Sequence, residues 1–405
     1  MLTKQRAGVA EAASPRLPLE LLLHIVDCTP DQQSHLTFSL VCRALLDQSR
    51  HWAFRRLRIQ RLIALRKLNA LTQSSLCTFS QHVRWVSISQ RQISEIGGLP
   101  FDCLCFMPKL VTLRVECMTS FQCDSFLIGP LERLSSLTTL TLDRVGFGTF
   151  STFLYALEAL PELRNLTLLD VFIRDENIPF AVHSSTKGLA KLRFLRCLLW
   201  GVMYRFLLAV MLVLPRCPPI THLDLCLPFT EDGMAGLLCD FIGVLTPTLS
   251  AMRVDPGYKH FSPTEYAKLD FSRFAALRSF TVEPVLLADW HIPGVMERIL
   301  DLILFALRAP ALRKLVVVLR IDGRFCHKNL TTRMEWATLN DHVGDSPCLA
   351  ELKFVICGSS AGAETRGVVE RLQELLPRAE EKGILQFKAS ANVAEWSALE
   401  SLSST

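Results

Sequence analysis

Apolar residues recur along this chain in a fixed triplet, L-x-x-L-x-L, often with Pro or Ser just ahead of it. The triplets stand at Val83/Val86/Ile88, Leu110/Leu113/Val115, Leu137/Leu140/Leu142, Leu163/Leu166/Leu168, Leu192/Leu195/Cys197 and Ile220/Leu223/Leu225. They continue at Leu249/Met252/Val254, Leu277/Phe280/Val282, Leu312/Leu315/Val317, Leu349/Leu352/Phe354 and, weakly, Lys382/Leu385/Phe387. Successive first positions are 27, 27, 26, 29, 28, 29, 28, 35, 37 and 33 residues apart. The x-L-x-L alternation predicts a strand, and the interval to the next triplet has room for a helix. A sustained period of this size marks a solenoid, in which each unit buries its apolar face only by stacking on its neighbours.

Several intervals carry helix signals of their own. Gly148 to Leu160 places Phe150, Phe153, Leu154, Leu157 and Leu160 on one face. Ser262-Pro263-Thr264-Glu265 reads as a capping box with a first-turn proline. Glu370, Arg371, Leu372, Leu375 and Leu376 mark a late amphipathic helix. Leu198 to Leu214 is almost wholly apolar, but it is short for a membrane span and carries Arg205 near its middle. It falls where the period requires a helix, so it reads as a buried solenoid helix, as does Ile299 to Leu307.

Leu17 to Ile59 lies outside this period and has a different pattern. Pro18 suits a helix start, with Leu21, Leu22 and Ile25 at helical spacing and Glu20, His24 and Asp27 opposite. Thr29 is placed to cap a second helix, Pro30 to take its first position and Gln32 to complete a capping box. Leu36, Phe38, Leu40, Val41, Leu45 and Leu46 supply that helix and a third, and Trp52, Phe54, Leu57 and Ile59 close the segment. Three short helices bury little surface alone, and surplus apolar surface marks a partner site.

This segment resembles an F-box. The family's pattern is matched by Leu17-Pro18-Leu19-Glu20-Leu21, Leu40-Val41-Cys42-Arg43 and Phe54-Arg55-Arg56-Leu57. Where many F-boxes carry a Trp soon after the Cys-Arg pair, this chain has Ala44-Leu45-Leu46, similar to variants in the large fungal F-box families. The triplets resemble leucine-rich repeats of the longer, helix-containing kind. The family's Asn or Cys three residues after the last strand leucine is replaced in most units, for example by Met118, Val145 and Val171. Degenerate repeats behind an N-terminal F-box are a combination that family commonly shows.

Charge and candidate chemistry add little. The formal charge is +5, with residues 1–70 holding 11 Lys+Arg against 5 Asp+Glu. Arg50, Arg55, Arg56, Arg58, Arg61, Arg66 and Lys67 carry most of that excess. With few aromatic partners they read as a solvated face rather than a nucleic-acid patch. The 14 cysteines are scattered, Cys103-x-Cys105 being the closest pair, and read as buried thiols in a reducing compartment. Cys42, beside Arg43, is expected to be buried too. Gly146-x-Gly148 lacks a third glycine and reads as a turn; no metal, phosphate-loop or nucleophile-elbow motif is present. No basic or acidic stripe is evident at the repeat period. Strand x positions such as Thr112 and Arg114, Thr139 and Thr141, His222 and Asp224, Arg278 and Thr281 are expected to line a concave face.

The expected architecture is an α/β solenoid: a disordered lead (1–16), an F-box-like three-helix segment (17–59), a helical linker (60–78), a curved leucine-rich-repeat-like array (79–390) and a cap or tail (391–405). Insertions near Trp290 and Arg324 to Leu339 are expected as functional loops. The resemblance implies a non-catalytic substrate receptor of a Skp–cullin–F-box ubiquitin ligase in the cytoplasm or nucleus, without cofactors. It would bind the Skp adaptor, and through it a cullin, by Leu17, Pro18, Glu20, Leu21, Ile25, Leu40, Val41 and Cys42, and a target protein by the repeats. The alternatives are a repeat scaffold that promotes no ubiquitylation, or one that uses residues 50–67 on an anionic surface. Membrane and nucleic-acid partners are not expected.

Overall fold

A computed structural model describes residues 17–89, 101–118, 123–175, 187–199, 202–214, 217–226, 234–255, 269–286, 295–321, 336–358 and 363–390. The chain opens with three helices, α1 (Leu19–Cys28), α2 (Gln32–Val41) and α3 (Arg43–Phe54). Strands then alternate with helices: β1 (Arg56–Ile59), α4 (Leu62–Thr72), β2 (Trp85–Ser89), β3 (Thr112–Met118), β4 (Thr139–Thr149), β5 (Asn165–Leu169), β6 (Phe172–Asp175), β7 (Phe194–Leu198) and β8 (His222–Cys226). The series ends with β9 (Ala251–Asp255), β10 (Ser279–Leu286), β11 (Lys314–Ile321), β12 (Glu351–Gly358) and β13 (Leu385–Ser390).

All strand pairs in the described residues are parallel and follow chain order, except that β6 pairs with the far end of β4. The register joins triplet to triplet. Val86 faces Leu113, which faces Leu140, then Leu166, Leu195, Leu223, Met252, Phe280, Leu315, Leu352 and Leu385. These positions are buried as far as Leu352 and form one continuous core with the helices on the other side. Parallel pairing demands a crossover in every unit; most of the described crossovers contain an α-helix, and those before β3, β7 and β10 show a 3-10 turn among the described residues.

The helix expected over 148–160 runs from Phe150 to Glu158, with Phe150, Phe153, Ala156 and Leu157 buried and the Thr149 hydroxyl accepting from Thr152 N at 3.1 Å. Within the apolar run at 198–214, a helix spans Val202–Val213 with Arg205 exposed and Leu207, Leu208 and Met211 buried. No described helix is long and apolar enough to cross a membrane. Gly146 is not in a turn: it lies inside β4, where an added Cβ would stand 2.6 Å from the Phe172 ring of β6.

Three expectations need correction. The array begins before residue 79. Leu57 faces Val86 and Ile59 faces Ile88, so Phe54/Leu57/Ile59 is itself a triplet, 29 residues ahead of Val83. The 60–78 stretch is this unit's helix, with Leu65 in the core, and not a linker. Second, Asp31 rather than Thr29 caps α2, accepting from Ser34 N at 2.8 Å. Aspartate is at least as good a cap as threonine. The Thr29 hydroxyl turns back to Ile25 O at 2.8 Å, and Gln32 donates to Ala53 O at 2.7 Å. Third, Cys42 is exposed, as are Cys28 and Cys348, because it sits in the extended joint between α2 and α3. The lead 1–16, the Ser262–Glu265 capping box, Trp290, most of the 324–339 insertion and the tail 391–405 lie outside the described residues.

Candidate functional site

The helical segment has a small interior and a larger apolar exterior. Val26, His35, Leu45, Ser49 and Ala53 are buried where α1 and α2 pack on α3. Asp27 Oδ1 accepts from Trp52 Nε1 at 2.7 Å and also from the Gln48 amide. The Gln48 bond, then that from Trp52, hold its carboxyl below the usual range. On α1 the buried side is Val26, so Leu21 and Ile25 are pushed outward at 50% and 45% exposure, with Leu17 at 54%. At the α2–α3 joint Leu40 and Val41 are 86% and 65% exposed. Pro18, Glu20 and Cys42 are exposed as well. The eight residues expected at a docking site are thus all on the surface, in two groups on helices that share α3 as their support.

A second surface lies on the concave side of the sheet. A cavity of about 1620 Å³ runs from the helical segment across the strands to β8. Asp27, His51 and Trp52 wall one end; Trp85, Thr112, Arg114, Thr139, Thr141 and Thr167 supply the floor, with Phe194, Arg196 and His222 beyond. These are the strand x positions, so the expected pairs Thr112 and Arg114, Thr139 and Thr141 fall together, and His222 lines the same groove. Six arginines line it against one aspartate. The Arg55 and Arg56 guanidiniums lie over the rings of Trp52 and Trp85 at 4.9 and 5.0 Å. Burial, and then Arg55, depress the His51 pKa, and burial alone depresses that of His222. Both imidazoles are therefore neutral at physiological pH, and the positive charge of the groove is arginine.

Further along, the same face closes. Asp224, Thr281 and Glu283 are buried, and Val316, Val318, Val355 and Cys357 make a small separate apolar cluster on β11 and β12. Arg196 Nε stands 3.1 Å from Asp224 Oδ2, and Arg253 pairs with Glu283. Burial raises the Asp224 pKa against the pull of Arg196 and Arg253. Burial also pushes Glu283 up to about 7 against Arg253, because its Oε1 is buried without a hydrogen-bond partner.

The bend that follows the triplet, inside β3 and β4 and just after β5, departs from the repeat pattern in a regular way. Cys117, Arg144 and Asp170 adopt φ of 57°, 55° and 49°, each two residues after the last apolar strand position. The next residues, Met118, Val145 and Val171, are buried. An apolar side chain thus fills the position where the repeat family places Asn. A left-handed backbone just ahead of it makes the bend.

The array is a leucine-rich-repeat-like solenoid. No protein-family model matches the chain, and no curated protein matches it. Among solved structures it is similar to the leucine-rich repeat-containing protein LegL7 from Legionella pneumophila, at 14% identity and a TM-score of 0.39, over 86% of this chain and 96% of that one. Among the described residues no group of His, Cys, Asp or Glu could hold a metal ion.

Proposed function

We propose that this chain is a protein-interaction scaffold that acts as a substrate receptor of a Skp–cullin–F-box ubiquitin ligase. The carrying observation is the outward display of Leu17, Leu21, Ile25, Leu40 and Val41 on a three-helix segment whose interior is already filled. Apolar side chains in that position gain about 25 cal/mol per Å² when a partner covers them, and the F-box resemblance names the Skp adaptor as that partner. The repeats then hold a target near the ubiquitin-charged enzyme carried elsewhere on the complex. This chain contributes proximity and selection, and no chemistry of its own. Pro18→Ala with Leu21→Asp abolishes co-purification with the Skp adaptor while the far-ultraviolet circular dichroism of the array stays unchanged. A double variant that still co-purifies stoichiometrically removes the adaptor reading and leaves the scaffold.

A further inference from the structure

The strand register exposes a charge pattern that the spacing of leucines hides. The residue just before each strand forms a continuous backbone ladder from β1 to β12, each N–H donating to the preceding carbonyl. Arg84 donates to Arg55 at 3.0 Å, Arg193 to Arg164 at 2.8 Å and Arg313 to Arg278 at 2.9 Å. In order, the rungs are Arg55, Arg84, Val111, Thr138, Arg164, Arg193, Thr221, Ser250, Arg278, Arg313 and Ala350. Arginines come in adjacent pairs, separated each time by two neutral rungs, and no rung is acidic.

Strands in a sheet are about 4.8 Å apart, so partners within a pair are about 5 Å apart and successive pairs about 19 Å apart, over a run of about 43 Å. Arg84 is half-buried and the other five arginines are exposed. None of the six forms a salt bridge among the described residues. On the neutral rungs the hydroxyls turn back into the ladder: Thr221 Oγ1 donates to Arg193 O at 3.3 Å and Ser250 Oγ to Thr221 O at 3.0 Å. Among the rungs the arginines alone carry charge; Arg84 Nη1 and Arg193 Nη1 each also donate to a carbonyl of the next unit, Lys109 O and Pro219 O, at 3.3 Å. The first two pairs adjoin the open groove, which Arg55, Arg84 and Arg193 help to line.

We propose that this arginine edge binds an extended acidic polypeptide segment laid across the strands. Guanidinium forks match carboxylates bidentately. An extended chain rises about 3.3 Å per residue, so pairs about 19 Å apart meet acidic clusters about six residues apart. Nucleic acid fits less well. One face of each of the groove's tryptophans is already taken by Arg55 or Arg56, which leaves less aromatic surface for a base to stack on. The inference deepens the target-binding half of the proposed function and uses none of the residues assigned to adaptor docking.

The test uses the full chain and a fluorescent peptide of about sixteen glutamates, long enough to span the run. Its controls are the matching glutamine peptide and a single-stranded oligonucleotide. The glutamate peptide binds at low salt, loses affinity steeply as NaCl rises toward about 500 mM, and outcompetes both controls. Arg164→Gln with Arg193→Gln weakens it about tenfold or more, with an unchanged melting curve and unchanged adaptor co-purification. Failure to bind, affinity that ignores the arginine variants, or tighter binding of the oligonucleotide each overturns the proposal.

Discussion

The two ends of the concave face are built from the same repeat but present opposite surfaces. From β2 to β9, units are spaced by 26–29 residues, most strands have five residues, and the face is an open, arginine- and threonine-lined groove as far as β8. From β10 to β12 the spacing rises to 33–37 residues, each strand has eight, and the x positions Val316, Val318, Val355 and Cys357 are buried. The positive-φ turns at Cys117, Arg144 and Asp170 also belong to the short units; among described residues no non-glycine in the long units has one. Strand length alone does not set this, since β4, with eleven residues, floors the open groove through Thr139 and Thr141. What differs is the chemistry of the x positions, mostly polar or charged across the groove and Val or Cys in the buried cluster on β11 and β12. The same L-x-x-L-x-L core thus supports an open, arginine- and threonine-lined groove at one end and a second hydrophobic layer at the other.

Placing one charge on each half should break the comparison most strongly. Val355→Asp buries an unpaired carboxylate and costs about 4 kcal/mol, whereas Thr141→Asp on the open floor stays within about 0.5 kcal/mol. Urea denaturation of the two variants checks this, and equal losses would mean that the two halves are equally accessible. A smaller effect comes from pH. Glu283 has its folded pKa raised to about 7 from 4.5, so the folded state holds the proton more tightly than the unfolded one. Stability then falls as pH rises from about 4.5 to about 7, by on the order of 1–3 kcal/mol, and is flat above. Asp224, raised in the same direction, adds to the slope. Glu283→Gln flattens most of that slope, and an unaltered pH profile of the melting temperature would refute the assignment. The smallest effect lies in the short-unit turns. Arg144→Gly relieves a left-handed backbone at an exposed position and raises stability by about 0.5–1 kcal/mol. A thermal melt that moves down instead would show that the side chain and not the backbone governs the turn.

Much of this was legible in the sequence because the solenoid core is a one-dimensional pattern. All eleven triplets became strands, paired triplet to triplet, and the change in spacing at Leu312 coincides with the longer strands. The first unit was obscured because Phe54, Arg55, Arg56 and Leu57 also complete the F-box pattern, so two readings competed for the same residues. The cap of α2 falls two residues later than Thr29, since Thr29 and Asp31 are both capable and the helix begins only at Gln32. Cys42 was judged by its apolar neighbours, although Leu40 and Val41 are themselves exposed. The arginine edge was missed for a different reason. Its signal, an Arg directly after the first apolar position in Val83-Arg84, Leu163-Arg164, Leu192-Arg193, Leu277-Arg278 and Leu312-Arg313, skips two units at a time. It becomes a surface only when the ladder aligns the units. Burial of the later x positions was not readable, because Val316 and Val355 obey the same alternation whether or not anything covers them.

Arg55 alone separates α3 from β1, and its carbonyl begins the ladder that runs through the whole array. Asp27, His51 and Trp52 wall the groove from helices whose outer side carries the exposed leucines. An occupant seated at that end of the groove would touch the helices whose outer side we propose as the docking face. Thermodynamic linkage then makes the two events answerable to each other: whatever factor one occupant imposes on the affinity of the second, the second imposes on the first.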